Sequence, residues 1–106
     1  MSLGNVYALA GGTTKATTRE EWERALAQVW DRASRAISGA RGFRSMRAMW
    51  NTENNRQAII MGEWETLADR LNYEATVASE VRSTFNPLFV EMPLRPKYVV
   101  VRETLK

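Results

Sequence analysis

Between Thr18 and Ser38 the apolar residues Trp22, Ala25, Leu26, Val29, Trp30, Ala33 and Ile37 recur at intervals of three and four, with charged side chains between them. That spacing places all seven on one stripe of a helix. A stripe that carries two indoles must be covered by something equally apolar. The sequence on either side of it has strand character, so the partner it demands is a sheet. Thr18 opens the helix with Glu21 at capping-box spacing, and Ser38-Gly39-Ala40-Arg41-Gly42 stops it.

The remaining segments supply the sheet. Residues 3–10 read as a first strand, with Leu3, Asn5, Tyr7 and Leu9 on one face and Gly4, Val6, Ala8 and Ala10 on the other. Gly11-Gly12 are expected to end it and Thr13–Thr18 to form a loop. Phe43–Asn51 and Arg56–Trp64 form a hairpin about the turn Thr52-Glu53-Asn54-Asn55. Thr66 caps a second helix with Asp69 in its first turn; Leu67, Leu71, Ala75, Ala78, Val81 and Phe85 mark its buried face, and Pro87 ends it. Pro93 and Pro96 keep the next connection extended, and Lys97–Glu103 is a β-branched last strand.

The order strand, helix, strand, strand, helix, strand implies one α+β domain over residues 1–106. Its architecture is a ferredoxin-like βαββαβ sandwich, a four-stranded antiparallel sheet with two helices on one face. Two helices cover one face only, yet both faces hold large apolar residues. Phe43 and Met49 oppose Met46 and Trp50; Ile59 and Met61 oppose Ile60 and Trp64; Tyr98 and Val100 oppose Val99 and Val101. An uncovered face of that character is an adhesive patch, so the expected assembly is a homodimer with the sheets face to face.

Composition narrows the chemistry. The chain has no cysteine and no histidine, which excludes thiolate nucleophiles, imidazole bases, Ser-His-Asp machinery and sites for zinc or iron that need those ligands. No acidic clustering suggests a carboxylate metal site either, so no metal is expected. The net charge of +3 is divided among regions of opposite sign: residues 15–47 hold eight basic and four acidic side chains, and residues 53–82 hold three and six. Without a continuous basic stripe, nucleic acid is not the expected partner. No run of eighteen apolar residues spans a bilayer. The N-terminal segment lacks the pattern of a secretory signal, which favours the cytoplasm.

Four pieces carry a family resemblance: Gly42-Phe43 at the start of the second strand, the hairpin to Ala58-Ile59-Ile60-Met61, the run Glu63-Trp64-Glu65-Thr66-Leu67-Ala68-Asp69-Arg70-Leu71, and Tyr98-Val99-Val100-Val101. Together they resemble the antibiotic biosynthesis monooxygenase-like family of dimeric α+β barrels. That family includes cofactor-free oxygenases of aromatic polyketides and quinols, haem-degrading enzymes, and members with no known reaction. Many members carry a His in the second helix about two turns after the strand-ending Trp, the iron ligand of the haem degraders. Here Tyr73 stands at that place, so haem bound in that manner is not expected.

The resemblance implies a cofactor-independent monooxygenase acting on a hydroxylated aromatic, quinol or polyketide-like small molecule. Such a reaction needs aromatic walls, a donor aimed at a developing oxyanion, and a dry pocket. The candidate catalytic residues are Tyr73, Asn51 and Arg82, and the candidate substrate-binding residues are Trp64, Trp50 and Arg47. Each has a plainer reading. The tryptophans can simply pack, Asn51 can serve its turn, and Arg82 can answer a helix dipole. The alternative function is a non-catalytic dimeric barrel that binds a small ligand or a partner. An RNA-binding module is disfavoured, because no strand shows the Gly-aromatic pattern of an RNA-recognition fold.

Overall fold

A computed structural model describes residues 4–106; Leu3, expected at the start of the first strand, lies outside them. Strand β1 (Val6–Thr14) leads into helix α1 (Arg19–Ser38), followed by the hairpin of β2 (Phe43–Trp50) and β3 (Gln57–Trp64). Two helices come next, α2 (Leu67–Thr76) and α3 (Ala78–Phe85). A short 3-10 turn over Asn86–Leu88 then delivers the chain to β4 (Phe89–Leu94) and β5 (Lys97–Val99). The strands form one antiparallel sheet in the order β2-β3-β1-β4, and β5 pairs with the first residues of β1. The expected α+β, ferredoxin-like order is therefore present, with three α-helices and a fourth strand position shared by two short strands. No helix of the described residues is long and apolar enough to cross a membrane.

The helices cover one face of the sheet. Val6, Ala8, Ala58, Ile60 and Trp64 are buried there in one cluster with Trp22, Ala33 and Ile37 of α1, Tyr73 of α2, and Val81 and Phe85 of α3. Burying each large side chain of this kind is worth roughly 1.5–3 kcal/mol, so this cluster is the main source of stability. Both expected caps form: the Thr18 hydroxyl accepts from the Glu21 amide at 3.2 Å, and the Thr66 hydroxyl from the Asp69 amide at 3.0 Å.

Several expectations are corrected. Gly11-Gly12 do not end β1, which continues through Thr14, and Thr14 is fully buried. The glycines are there because β1 is squeezed between neighbours: a Cβ at Gly11 would collide with the Ala58 carbonyl oxygen of β3, and one at Gly12 with the Glu91 carbonyl oxygen of β4. Phe43 lies on the helical face, not beside Met49, because the β2–β3 register slips between Phe43 and Ser45. Its ring meets Trp64 edge-on at 5.5 Å.

The second helix is two helices. The Thr76 hydroxyl bonds back to the Asn72 carbonyl at 2.8 Å and the Tyr73 carbonyl at 3.4 Å, competition of the kind that bends helices. Val77 at the break adopts φ −105°, ψ −12°. Leu67 and Leu71, placed on its buried face by spacing, are about half exposed at 48% and 49%. The final strand starts earlier and ends sooner than its β-branched run suggests: pairing begins at Phe89, and strand geometry stops at Val99.

Candidate active site

Arg70, Tyr73 and Glu74 are three and four residues apart on α2, so they share one side of that helix. The break at Val77 lets α3 continue with Ala78, Val81, Arg82 and Phe85 toward the same space. Beneath these residues lie Ala8 and Ala10 of β1, Met46 of β2, and Ile60 and Gly62 of β3. The result is a cavity of about 160 Å³ between sheet and helices, with Ile37, Phe85 and Met92 completing its apolar wall. Its rim is charged and consists of Arg70, Glu74 and Arg82 from the helices with Arg95 and Lys97 from the edge of the sheet.

An aromatic stack backs the cavity. The Trp64 and Tyr73 rings are 4.7 Å apart between centroids, tilted by 38°. The Arg70 guanidinium carbon lies 4.9 Å from the Tyr73 ring and 5.7 Å from the Trp64 ring, within cation–π range of both. Trp64 is completely buried, and its indole Nε1 has no hydrogen-bond acceptor. A donor left in that state costs about 1–3 kcal/mol, a cost a structural tryptophan ordinarily avoids. A Cβ on Gly62 would stand 3.1 Å from that nitrogen, so the bare glycine in the cavity floor leaves room beside the indole N–H.

Tyr73 is 4% exposed and lines the cavity, and its hydroxyl makes no hydrogen bond among the described residues. The hydroxyl is therefore open to the cavity. Burial pushes its phenol above the ordinary range, and the Arg70 and Arg82 guanidiniums only partly pull it back. At neutral pH it is a protonated donor, not a base. Glu74 is in the opposite condition. Burial alone would raise its carboxyl, but hydrogen bonds from Arg70 and Lys97, both at 2.9 Å, outweigh that and hold it below the usual range.

Of the six residues singled out in the sequence, the structure brings Tyr73 and Arg82 to the cavity and sets Trp64 directly behind it. The other three lie elsewhere. Asn51 is in the β2–β3 turn, where its side-chain oxygen accepts from the Glu53 amide at 2.8 Å. Trp50 packs 6.2 Å from Trp22, and its Nε1 donates to the Asn54 side chain at 3.1 Å beside a separate, more open groove of about 760 Å³ between α1 and β2. Arg47 is exposed on the face of the sheet away from the helices and donates to the Ser45 hydroxyl at 2.8 Å. Sequence reasoning missed Arg70, Glu74, Arg95 and Lys97. The i,i+4 spacing of Arg70 and Glu74 around Tyr73 was the one available signal.

No family model and no curated protein sequence matches the chain. Solved structures do. A Bordetella bronchiseptica protein proposed as an antibiotic biosynthesis monooxygenase superimposes with a TM-score of 0.69 at 19% identity, over 93% of this chain and 99% of that one. The haem degrader MhuD of Mycobacterium tuberculosis, with two haems in its active site, gives 0.68 at 18% identity, over 94% of this chain and 98% of that one. SnoaB of Streptomyces nogalater, a cofactor-independent oxygenase, gives 0.66 at 12% identity, over 96% of this chain and 97% of that one. Over nearly its whole length, the chain has the fold of the antibiotic biosynthesis monooxygenases.

Proposed function

We propose that this protein is a cofactor-independent monooxygenase for a small hydroxylated aromatic or quinol, bound in the cavity in front of Tyr73 and Trp64. One observation carries the reading: a phenol held protonated and open to an apolar cavity, with guanidiniums beside it. A bound substrate oxygen would accept from the Tyr73 hydroxyl. As the substrate loses a proton to solvent at the mouth, the charge left on that oxygen would be stabilised by that hydrogen bond in surroundings of low dielectric, with the net positive rim beyond it. The electron-rich anion then reduces dioxygen itself. With anthrone as the test substrate, one oxygen atom becomes the new carbonyl, the other leaves as water with both methylene hydrogens, and the product is anthraquinone.

Haem, which MhuD holds in its active site, does not suit this donor set. The chain has neither His nor Cys, and the one phenol on the cavity resists becoming the phenolate that iron would prefer. Asn51, Trp50 and Arg47 take no part in the reaction as drawn.

The sheet face away from the helices supports the homodimer. Leu9 opposes Met61, Tyr7 opposes Tyr98, and Met49 opposes Ile59, so apolar side chains run across β2, β3, β1 and β5 on that side. A second copy, sheet to sheet, would cover them.

The test is oxygen consumption with anthrone and a panel of reduced quinols, in metal-free buffer. Stoichiometric uptake with formation of the quinone supports the monooxygenase. Tight binding without uptake supports the other reading, a ligand-binding barrel, which is favoured by the lack of a free base in the cavity: Glu74, its only carboxylate, is engaged by Arg70 and Lys97.

A further inference from the structure

The rim of the cavity carries four cations, Arg70, Arg82, Arg95 and Lys97, against one carboxylate, Glu74. Glu74 serves two of them: Arg70 Nε and Lys97 Nζ both meet its Oε2 at 2.9 Å. Arg82 on α3 and Arg95 between β4 and β5 form no ion pair among the described residues. They line the same cavity from opposite layers, one from the helices and one from the edge of the sheet. Two guanidiniums at the mouth of an apolar cavity, neither with a carboxylate partner, both gain from an anion bound there.

We infer that the natural ligand is an aromatic carboxylic acid, its ring system in the apolar cavity and its carboxylate held at the mouth between Arg82 and Arg95. The inference rests on the reading that this cavity is the ligand site and adds the charge the ligand must carry. Arg70 is not the anion site, because Glu74 already occupies it and holds it over the Tyr73 and Trp64 rings. Division of labour follows. Arg70 faces the aromatic stack, while Arg82 and Arg95 select an anion and set how deep the ring system sits.

The experiment compares two ligands of one shape on the full chain, 2-naphthoate and its neutral counterpart 2-naphthamide, by isothermal titration calorimetry. The expected result is a preference for naphthoate of about tenfold that shrinks as salt is raised. It should be lost in the R82Q/R95Q double variant, with naphthamide affinity unchanged. The control R24Q/R32Q, which removes an equal charge from the exposed surface of α1, should keep the full preference. Both arginines of the double variant are exposed, and matching thermal melts establish that it folds. Equal affinities in the unaltered protein, or a preference that survives in the double variant, would overturn the inference and leave the cavity as a neutral-ligand site. Failure of both ligands to bind would overturn this inference and the proposed site together.

Discussion

The Tyr73 ring lies against the Trp64 indole at 4.7 Å, and it is the tyrosine that shields the tryptophan from the cavity. The phenol hydroxyl makes no hydrogen bond among the described residues, so Tyr73→Phe should leave the fold intact, with a stability change under about 1 kcal/mol. Oxygen uptake should fall about a hundredfold, the scale for losing one donor aimed at a developing oxyanion. Alkaline titration gives an independent check. A phenol whose folded pKa is raised contributes stability that is complete below the ordinary phenol range and is lost as pH climbs through the folded value. Unaltered protein should therefore lose stability on going strongly alkaline, and Y73F should lose less. Tyr7, raised by burial and by neighbouring Glu63, keeps a share of the effect in both proteins.

Glu74 ties α2 to the sheet edge through Arg70 and Lys97. Its side chain is 27% exposed, so the clasp is worth more than a surface pair and less than a buried one. Glu74→Gln should cost roughly 1–2 kcal/mol, seen as a Tm lower by several degrees near neutral pH. The sign with pH follows from the depressed carboxyl. Its contribution is whole above the ordinary glutamate range and disappears as pH falls through the lower folded value. Melting curves of the two proteins should thus converge in acid. A gap that persists at pH 2 would show that the loss comes from packing and not from charge.

Periodicity revealed α1, the hairpin and the overall order, because each is set by local spacing over ten or more residues. It failed where tertiary crowding overrides local signals. Gly11-Gly12 resemble a strand end in sequence, but they lie in mid-strand, where β3 and β4 press on β1 from either side. The helix break at Val77 is accompanied by the Thr76 hydroxyl bonding back to the backbone, and apolar spacing carries no trace of it. At the candidate site, the family resemblance points to Tyr73 and the sequence to Arg82, and both line the cavity. Arg95 and Lys97 were not legible, since only the pairing of β4 and β5 with β1 brings that segment to the mouth of the cavity.

The uncovered sheet face makes its own forecast. Ile59 sits at its centre, opposite Gly11 on one side and Met49 on the other. A guanidinium there would be unpaired and desolvated in any sheet-to-sheet contact, a penalty of several kcal/mol per copy. Sedimentation equilibrium at micromolar concentration should give a dimer for the unaltered chain and a monomer for Ile59→Arg, with helical content unchanged. A monomer in the unaltered protein would remove the second copy from the proposal.

At Gly12 the backbones of β1 and β4 approach too closely to admit a side chain. A methyl group on Gly12 would collide with the Glu91 carbonyl oxygen and stand 2.8 Å from Pro93 Cδ. Neither obstacle is a side-chain tip that can swing away; one is main chain and the other a ring fixed to it. Gly12→Ala must therefore push β4 outward, and with it Phe89, which is 3% exposed and meets Trp22 edge-on at 5.4 Å in the core. The cost should be about 3 kcal/mol, a fall in Tm on the order of 15 °C. Gly39→Ala is the matched control. Gly39 caps α1 with an ordinary negative φ of −82°, and nothing lies within 4 Å of its would-be Cβ. Its substitution should be neutral or slightly stabilising. Equal melting temperatures for the two variants would show that β4 does not press on β1 as described, and that the mouth of the cavity is less firmly built than the pairing of those strands implies.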